Sequence, residues 1–203
     1  MISLNIKTLH LVQTSVLIAI ILIMAFTPLG YLKAGTLSIS LITIPTAIGA
    51  AVISPGAGAL LGGVFGLTSF IQCFTGDPFG AALLSINPFL TFLLCVPTRI
   101  LAGFLSGLLF RPLRKKLRKT AWYLAGFLTA FFNTAFFMTT LVLFFWNAPA
   151  VQAWSAQLGA LYPLIFILSS VTVNAVIEWI ATTLIAGSVG IAMEKAGKTG
   201  ISD

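Results

Sequence analysis

Charge is what this 203-residue sequence lacks most, since only 7% of its residues are Asp, Glu, Lys or Arg. A soluble domain of this size would need a polar surface, and too few charged residues remain to build one. Histidine occurs once, as His10, and cysteine twice, as Cys73 and Cys95. This scarcity argues against a structural metal site, a nucleophile–histidine–acid set and a redox centre. We therefore expect no metal and no cofactor, and two small buried cysteines.

Long apolar runs are what the sequence has in abundance. Hydrophobic residues make up 59% of the chain, and its mean hydropathy is +1.09. Strands of a membrane barrel alternate apolar and polar residues, whereas these runs are continuous. The sequence therefore predicts an all-α integral membrane protein. The lead-in Met1–His10 passes into a helix of spanning length, so we expect no cleaved signal peptide.

About 20 apolar residues are needed for a helix to cross the hydrocarbon of a bilayer. On that rule we predict a single membrane domain over residues 1–203, built as a bundle of six transmembrane helices. Ser54-Pro55-Gly56 divides the stretch 42–74 into a short helix and a glycine-rich one, although one re-entrant hairpin is an alternative. The predicted helices cover about 8–29, 42–53, 57–74, 90–111, 120–147 and 160–193.

The basic residues predict the orientation of the bundle. Six of the eleven lie together between the fourth and fifth helices. With six spans, the basic residues before the first helix and after the last fall on that same side, and Lys33 falls opposite. The positive-inside rule then places both termini in the cytoplasm. We assign the charge of +7 to topology and anionic lipid, not to nucleic acid. The nine basic residues that this orientation places on the cytoplasmic side are Lys7, Arg111, Arg114, Lys115, Lys116, Arg118, Lys119, Lys195 and Lys198.

The predicted outward connections are the irregular part of the chain. Thr36, Ser38 and Ser40 alternate with apolar residues, and a period of two indicates an extended strand. This first loop is either an ordinary connection or a lid over an outward cavity. The connections 75–88 and 147–157 are longer than a helical hairpin requires. We therefore expect a site that opens to this face.

Two charged residues fall inside the apolar runs, and they are the first candidates for a functional site. An ionisable side chain at bilayer depth costs roughly 2.5 to 3.5 kcal/mol, so it usually faces a partner, a cavity or a substrate. The helical rise puts Arg99 and Glu178 at similar depths. They form either a structural ion pair or the walls of a polar cavity, in which Arg99 binds a ligand carboxylate through two hydrogen bonds.

Other polar residues complete the predicted binding site. Asn174 lies one helical turn from Glu178 and shares its face. Ser15 and Ala19 form a small-xxx-small pair that can dock a partner helix. The sequence Gly197-Lys198-Thr199 resembles the end of a phosphate-binding loop, but position 192 lacks the required glycine, so we reject that motif. Because no set of catalytic residues is visible either, we expect that the protein is not an enzyme. The candidate substrate-binding residues are Arg99, Asn133, Asn174, Glu178, Gln72, Ser69, Ser38 and Asn87.

Several short motifs carry a family resemblance over about residues 10–110. The motifs are Thr27-Pro28-Leu29-Gly30-Tyr31, Ile44-Pro45, Ile48-Gly49-Ala50, Pro55-Gly56-Ala57-Gly58-Ala59, Phe65-Gly66-Leu67-Thr68-Ser69-Phe70 and Pro97-Thr98-Arg99-Ile100-Leu101. In these motifs the chain resembles the substrate-binding S components of the energy-coupling factor vitamin importers, and most of all their pantothenate-type branch.

The resemblance implies a non-enzymatic subunit that captures a vitamin under the first loop and works with a transmembrane coupling subunit and two cytoplasmic ATPases. Ser15 and Ala19 would then contact the coupling subunit. Related branches often have histidine where this chain has Thr43, so hydroxymethylpyrimidine and pyridoxine are alternatives to pantothenate. A proton- or ion-coupled carrier that works alone, with Glu178 as the titrating group, is the rival function. A membrane-embedded enzyme or an assembly factor is the third class of function that the sequence leaves open.

Overall fold

Five helices in the described part of the chain are long and apolar enough to cross a membrane. The structure is a computed structural model that describes residues 5–28, 30–34, 37–170 and 173–197, without the side chains of 31–34, 37–39, 173 and 174. Its elements are α1 (Ile6–Ala25), β1 (Tyr31–Ala34), β2 (Leu37–Ser40), α2 (Thr43–Val52), α3 (Pro55–Thr75), α4 (Pro78–Ile86), α5 (Pro88–Leu117), α6 (Thr120–Phe145), α7 (Pro149–Gln157), α8 (Pro163–Ser170) and α9 (Val173–Lys195).

The all-helical membrane class is confirmed, but the count of six spans is not. The second predicted span corresponds to α2, which has 10 residues and is therefore only about 15 Å long. Nine of its residues are buried, because it lies among α1, α3, α5, α6 and α9. Small residues and Ser54-Pro55 end it early. The long helices are α1, α3, α5, α6 and α9.

Proline and a capping side chain set where several helices begin. Ser54 Oγ accepts from the Ala57 amide at 3.1 Å, and Pro55 follows as the first residue of α3. Asp77 caps α4 in the same way. Such caps satisfy amides that have no partner within the helix. The second and third outward connections, predicted as long loops, therefore contain the short helices α4 and α7.

A row of glycines lets α3 and α5 pack closely and antiparallel. A Cβ added at Gly58 would meet the Gly103 carbonyl, one at Gly62 the Arg99 carbonyl, and one at Gly66 the Cys95 carbonyl. The contact therefore moves backward along α5 as it moves forward along α3. Small residues at such positions permit backbones to approach. This packing fixes the position of Arg99 along the axis of α3.

Polar contacts close one end of the bundle, which we name the basic end: the end of α5, the start of α6 and the end of α9. Glu194 forms an ion pair with Arg114 and accepts a hydrogen bond from Trp122 Nε1 at 2.8 Å. The predicted basic hinge is partly helical, since α5 continues through Arg111, Arg114, Lys115 and Lys116. The opposite end, which carries α4 and α7, is named the cavity end.

The first connection forms an antiparallel hairpin of β1 and β2. Tyr31 lies opposite Ser40 and Ala34 opposite Leu37. The extended segment predicted from the period of two thus corresponds to β2. In the last predicted span, 160–193, the structure has two helices, α8 and α9. Residues 171–172 between them lie outside the described part.

Apolar side chains cover the outside of the long helices. Leu11 is 68% exposed, Ile23 59% and Leu143 73%. Exposed apolar surface of this extent is unsuited to water and matches the hydrocarbon of a bilayer. The protein is a multi-pass membrane protein.

Candidate functional site

A cavity of about 790 Å³ lies at the cavity end of the bundle. Residues of α3, α5 and α6 line its inner part, and residues of α4 and α7 line its outer part. Small-molecule sites usually occupy about 300–1,000 Å³ and combine apolar walls with a few polar groups. The polar and charged residues that line the cavity are Ser40, Ser69, Gln72, Thr75, Asp77, Thr91, Arg99, Asn133 and Gln157.

Arg99 supplies the positive charge of this cavity. Its Nη1 donates to the carbonyl oxygens of Cys95 at 2.9 Å and Leu94 at 3.4 Å. The guanidinium carbon lies 4.9 Å from the ring centroid of Phe65 and 5.1 Å from that of Phe137. Cation–π contacts of this kind contribute about 0.5–2 kcal/mol each. The site thus stabilises the charge with two aromatic faces and leaves Nε without a partner.

The helix around Arg99 explains the direction of its side chain. Side chains on a helix lean toward its N-terminus, which for α5 is the cavity end. Pro97 lies within α5 and has no amide hydrogen, so the usual helical bond to the Leu93 carbonyl is missing. Arg99 is 8% exposed. Its guanidinium therefore lies toward the cavity end of the bundle and faces the cavity.

The structure does not pair Arg99 with Glu178. In the described part of the chain the ion pair is Arg114–Glu194, and none joins Arg99 to Glu178. Glu178 is itself buried, with 8% of its surface exposed. Equal depth in the membrane did not bring the two groups into contact. The geometry therefore argues against the interpretation of Arg99 and Glu178 as a structural ion pair.

Three more of the predicted residues line the same cavity. Asn133 lies on α6, one helical turn before Phe137, and Ser69 and Gln72 lie on α3. Gln72 Nε2 donates to the Ala25 carbonyl at 2.5 Å. This bond ties α3 to the end of α1 and leaves the Gln72 amide oxygen as an acceptor. Together with Arg99, these side chains offer both donors and acceptors to a small polar molecule.

Two of the remaining predicted residues, Asn87 and Glu178, do not line the cavity. Asn87 Oδ1 accepts from the Leu90 amide at 3.1 Å and caps α5. The side chains of Ser38 and Asn174 lie outside the described part of the structure, and both stay predictions.

Sequence reasoning missed several residues of the cavity wall. Phe65 and Phe137 stack on Arg99, and Ser40 and Thr91 add hydroxyls. Phe65 is part of a family motif, and Phe137 follows Asn133 by one helical turn. Both residues could therefore have been identified as candidates from the sequence. Trp154 also lines the cavity and packs edge-on against the rings of Phe79 and Phe166.

Cys73 and Cys95 are both buried and both line the cavity on neighbouring helices. They pack in one apolar cluster with Val96. The Cys73 thiol donates to the Ser69 carbonyl at 3.4 Å. The expectation that these are small buried side chains is consistent with this packing.

A bundle of long apolar helices with one polar cavity at its end suits a protein that binds a solute. The model of the family described as "ECF transporter, substrate-specific component" matches residues 9–189. The chain belongs to this family. ECF abbreviates energy-coupling factor, so the resemblance found in the sequence motifs is confirmed. As a substrate-specific component, the protein is a transporter subunit and not an enzyme.

One curated relative is similar to this substrate-specific component over part of its length. The pantothenate transporter PanT of Leuconostoc mesenteroides subsp. mesenteroides is 33% identical to it over 139 residues. The match covers 64% of this chain and 66% of that protein. The chain thus spans just under two thirds of the length of this relative.

Proposed function

We propose that this protein binds pantothenate as the substrate-specific component of an ATP-driven importer. The observation that supports this most directly is the Arg99 guanidinium, which lines the cavity and has no carboxylate partner among the described residues. A guanidinium in a site of low polarity favours an anion, and its fork of donors matches a carboxylate. Pantothenate carries a carboxylate, and the curated relative is a pantothenate transporter.

The rest of the cavity supplies groups for the rest of such a ligand. Pantothenate has an amide and two hydroxyls, which need both donors and acceptors. Asn133, Ser69 and the Gln72 amide oxygen offer these on two helices. The apolar walls of the cavity suit the branched carbon skeleton between the polar groups.

The positive-inside rule supports an orientation with the basic end in the cytoplasm and the cavity facing outward. In this orientation the β1–β2 hairpin, which ends at the cavity residue Ser40, acts as the lid of the site. A transmembrane coupling subunit and two cytoplasmic ATPases would drive release inward. Ser15 and Ala19 are exposed on α1, and we assign the contact with the coupling subunit to them.

Substitution of Arg99 tests the ligand assignment. We expect Arg99→Ala to weaken binding of pantothenate by about 2–5 kcal/mol, or roughly 30-fold or more in Kd, because the ligand carboxylate loses its charged partner. Arg99→Lys keeps the charge but loses the paired donors, so its affinity should be intermediate. Isothermal titration on purified protein measures both. Unchanged affinity in Arg99→Ala would remove Arg99 from the site.

Native mass spectrometry of the purified protein tests the identity of the ligand. We expect a bound species with the mass of pantothenate. A mass matching hydroxymethylpyrimidine or pyridoxine would keep the S-component function and reject the vitamin. Uptake by the isolated chain in proteoliposomes, without coupling subunit or ATPases, would instead support a carrier that works alone.

A further inference from the structure

Glu178 is a buried carboxylate that the cavity does not use. It lies on α9, a helix that contacts β2 and α2. Its Oε1 has no hydrogen-bond partner, and the Ser40 backbone and the Thr43 side chain are close enough to interact with the carboxyl group. A buried carboxylate needs such donors, since burial without them is costly. Its surroundings therefore indicate what it does.

The register of the hairpin explains why Ser40 faces Glu178. The Leu41 amide donates to the Gly30 carbonyl at 3.0 Å, which makes those two a hydrogen-bonded pair. Ser40 and Tyr31 form the next pair, and in an antiparallel ladder such pairs alternate. The Ser40 amide therefore points away from β1, toward the open edge of β2. Glu178 lies near that edge, on the helix α9 that contacts β2, and its carboxyl group is an available acceptor.

Two threonines extend the contact from β2 to α2 and α9. The Thr43 hydroxyl lies 2.9 Å from the Thr182 hydroxyl and 3.2 Å from the Ser40 carbonyl oxygen. Thr182 is one helical turn after Glu178 and is fully buried. A hydroxyl has one proton, so while Thr43 donates to the Ser40 carbonyl it can accept from Thr182. Thr182, Thr43 and Ser40 are thus linked by hydrogen bonds, and Glu178 lies one helical turn from Thr182 beside this network.

A strand edge with free amides is unstable inside a membrane protein unless a neighbour satisfies it. We propose that Glu178 is a positioning residue, which holds the free edge of β2 and, with Thr43 and Thr182, fixes the hairpin base beside the cavity. It acts on the ligand through Ser40, which lines the cavity while Glu178 does not. Its assignment as a direct ligand contact is thereby replaced.

Hydrogen exchange on the ligand-free protein in nanodiscs tests this network without any assumption about the vitamin. Glu178→Leu removes the acceptor, so the amides of Ser40 and the following turn should exchange about tenfold faster or more. Glu178→Gln keeps an acceptor oxygen without the charge, so its exchange should be intermediate. Exchange in α3 and α5 should be unchanged. Equal exchange at Ser40 in wild type and Glu178→Leu would overturn the proposal.

A second pair of variants keeps the test valid if Glu178→Leu does not fold. Thr182→Val removes the hydroxyl that joins α9 to Thr43, with little change of shape. Thr129→Val is its matched control, because Thr129 is also buried but bonds the Ala125 carbonyl of its own helix at 2.9 Å. Thr182→Val should speed exchange at the hairpin base, and Thr129→Val should not. The same response in both variants would count against the network.

Ligand kinetics add a readout that rests on the proposed function. With labelled pantothenate, Glu178→Gln should raise the dissociation rate several-fold and change the association rate less. The reason is that the cavity wall at Ser40 becomes more mobile, whereas Arg99 still binds the ligand carboxylate. If wild type does not bind pantothenate, the proposed ligand is wrong while the exchange result still stands. If Glu178→Gln abolishes binding and exchange at Ser40 is unchanged, Glu178 contacts the ligand and the positioning role is rejected.

Discussion

Arg99 combines two properties that a structural arginine rarely has. It is buried, and within the described residues its charge has no carboxylate partner. Two aromatic rings and two backbone carbonyls hold it in place. Buried ion pairs are strongly destabilised when one partner is removed, whereas an unpaired charge is itself a source of instability. Stability and binding should therefore respond in opposite ways to its removal.

This difference gives a prediction for the ligand-free protein. We expect Arg99→Met to leave the melting temperature unchanged or to raise it by a few degrees, while pantothenate binding is lost. Methionine has a similar length and can pack between Phe65 and Phe137. Scanning fluorimetry in detergent, with and without pantothenate, measures both effects. A fall of several degrees without ligand would mean that Arg99 mainly holds the helices together.

At single residues, sequence predicts depth in the membrane better than direction around the helix. Arg99 and Glu178 were placed correctly inside the bundle, but the helical rise does not say which neighbour each faces. Packing decides that, and it turned Glu178 toward β2. Asn87 differs, because Asn followed by Pro is a common start of a helix. Its capping role could have been predicted from the sequence.

Among the helices, the long ones were predicted well and the short ones were not. The apolar runs place α3 and α6 within about two residues of their bounds, but α1 ends at Ala25 instead of 29, and α5 continues to Leu117 instead of ending at 111. Helices α4 and α7 are short, and they lie in the connections 75–88 and 147–157, which the sequence predicts as long loops. The brevity of α2 follows from burial among five other helices, which a hydropathy rule does not consider.

The contact between α3 and α5 gives a prediction with a neighbouring control. A Cβ at Gly62 would collide with the backbone carbonyl of Arg99, whereas one at Gly63 would meet Ile100 Cγ1 at 3.5 Å, an ordinary contact. Gly62→Ala should therefore separate the helices and lower stability by about 1–3 kcal/mol. Gly63→Ala should change it little or raise it slightly.

Thermal melting and pantothenate titration together test the pair. Since Gly62 faces the backbone of Arg99, we expect Gly62→Ala to weaken binding as well as stability, and Gly63→Ala to leave both near wild type. Equal behaviour of the two alanine variants would show that close packing of α3 and α5 does not position the guanidinium.

At the scale of the whole molecule, the basic end and the cavity end of the described residues differ in their polar contacts. Glu194 joins α5, α6 and α9 at the basic end, and the cavity with its buried Arg99 lies toward the opposite end. The helix α1 is the least embedded of the long helices, with Leu17, Ile21 and Ala25 as its buried residues. A helix with so wide an exposed face can leave lipid for a partner at little cost to the fold.

The exposed face of α1 gives the last prediction. Ser15 is exposed and its hydroxyl bonds the Leu11 carbonyl of its own helix at 2.9 Å, so Ser15→Leu removes no hydrogen bond to another helix. The bulky side chain should block close approach of the coupling subunit at Ser15 and Ala19. We expect the variant to bind pantothenate normally but to co-purify poorly with the coupling subunit and ATPases. Ser188→Leu, an equally exposed change on α9, should assemble like wild type. Normal assembly of Ser15→Leu would move the contact to another face.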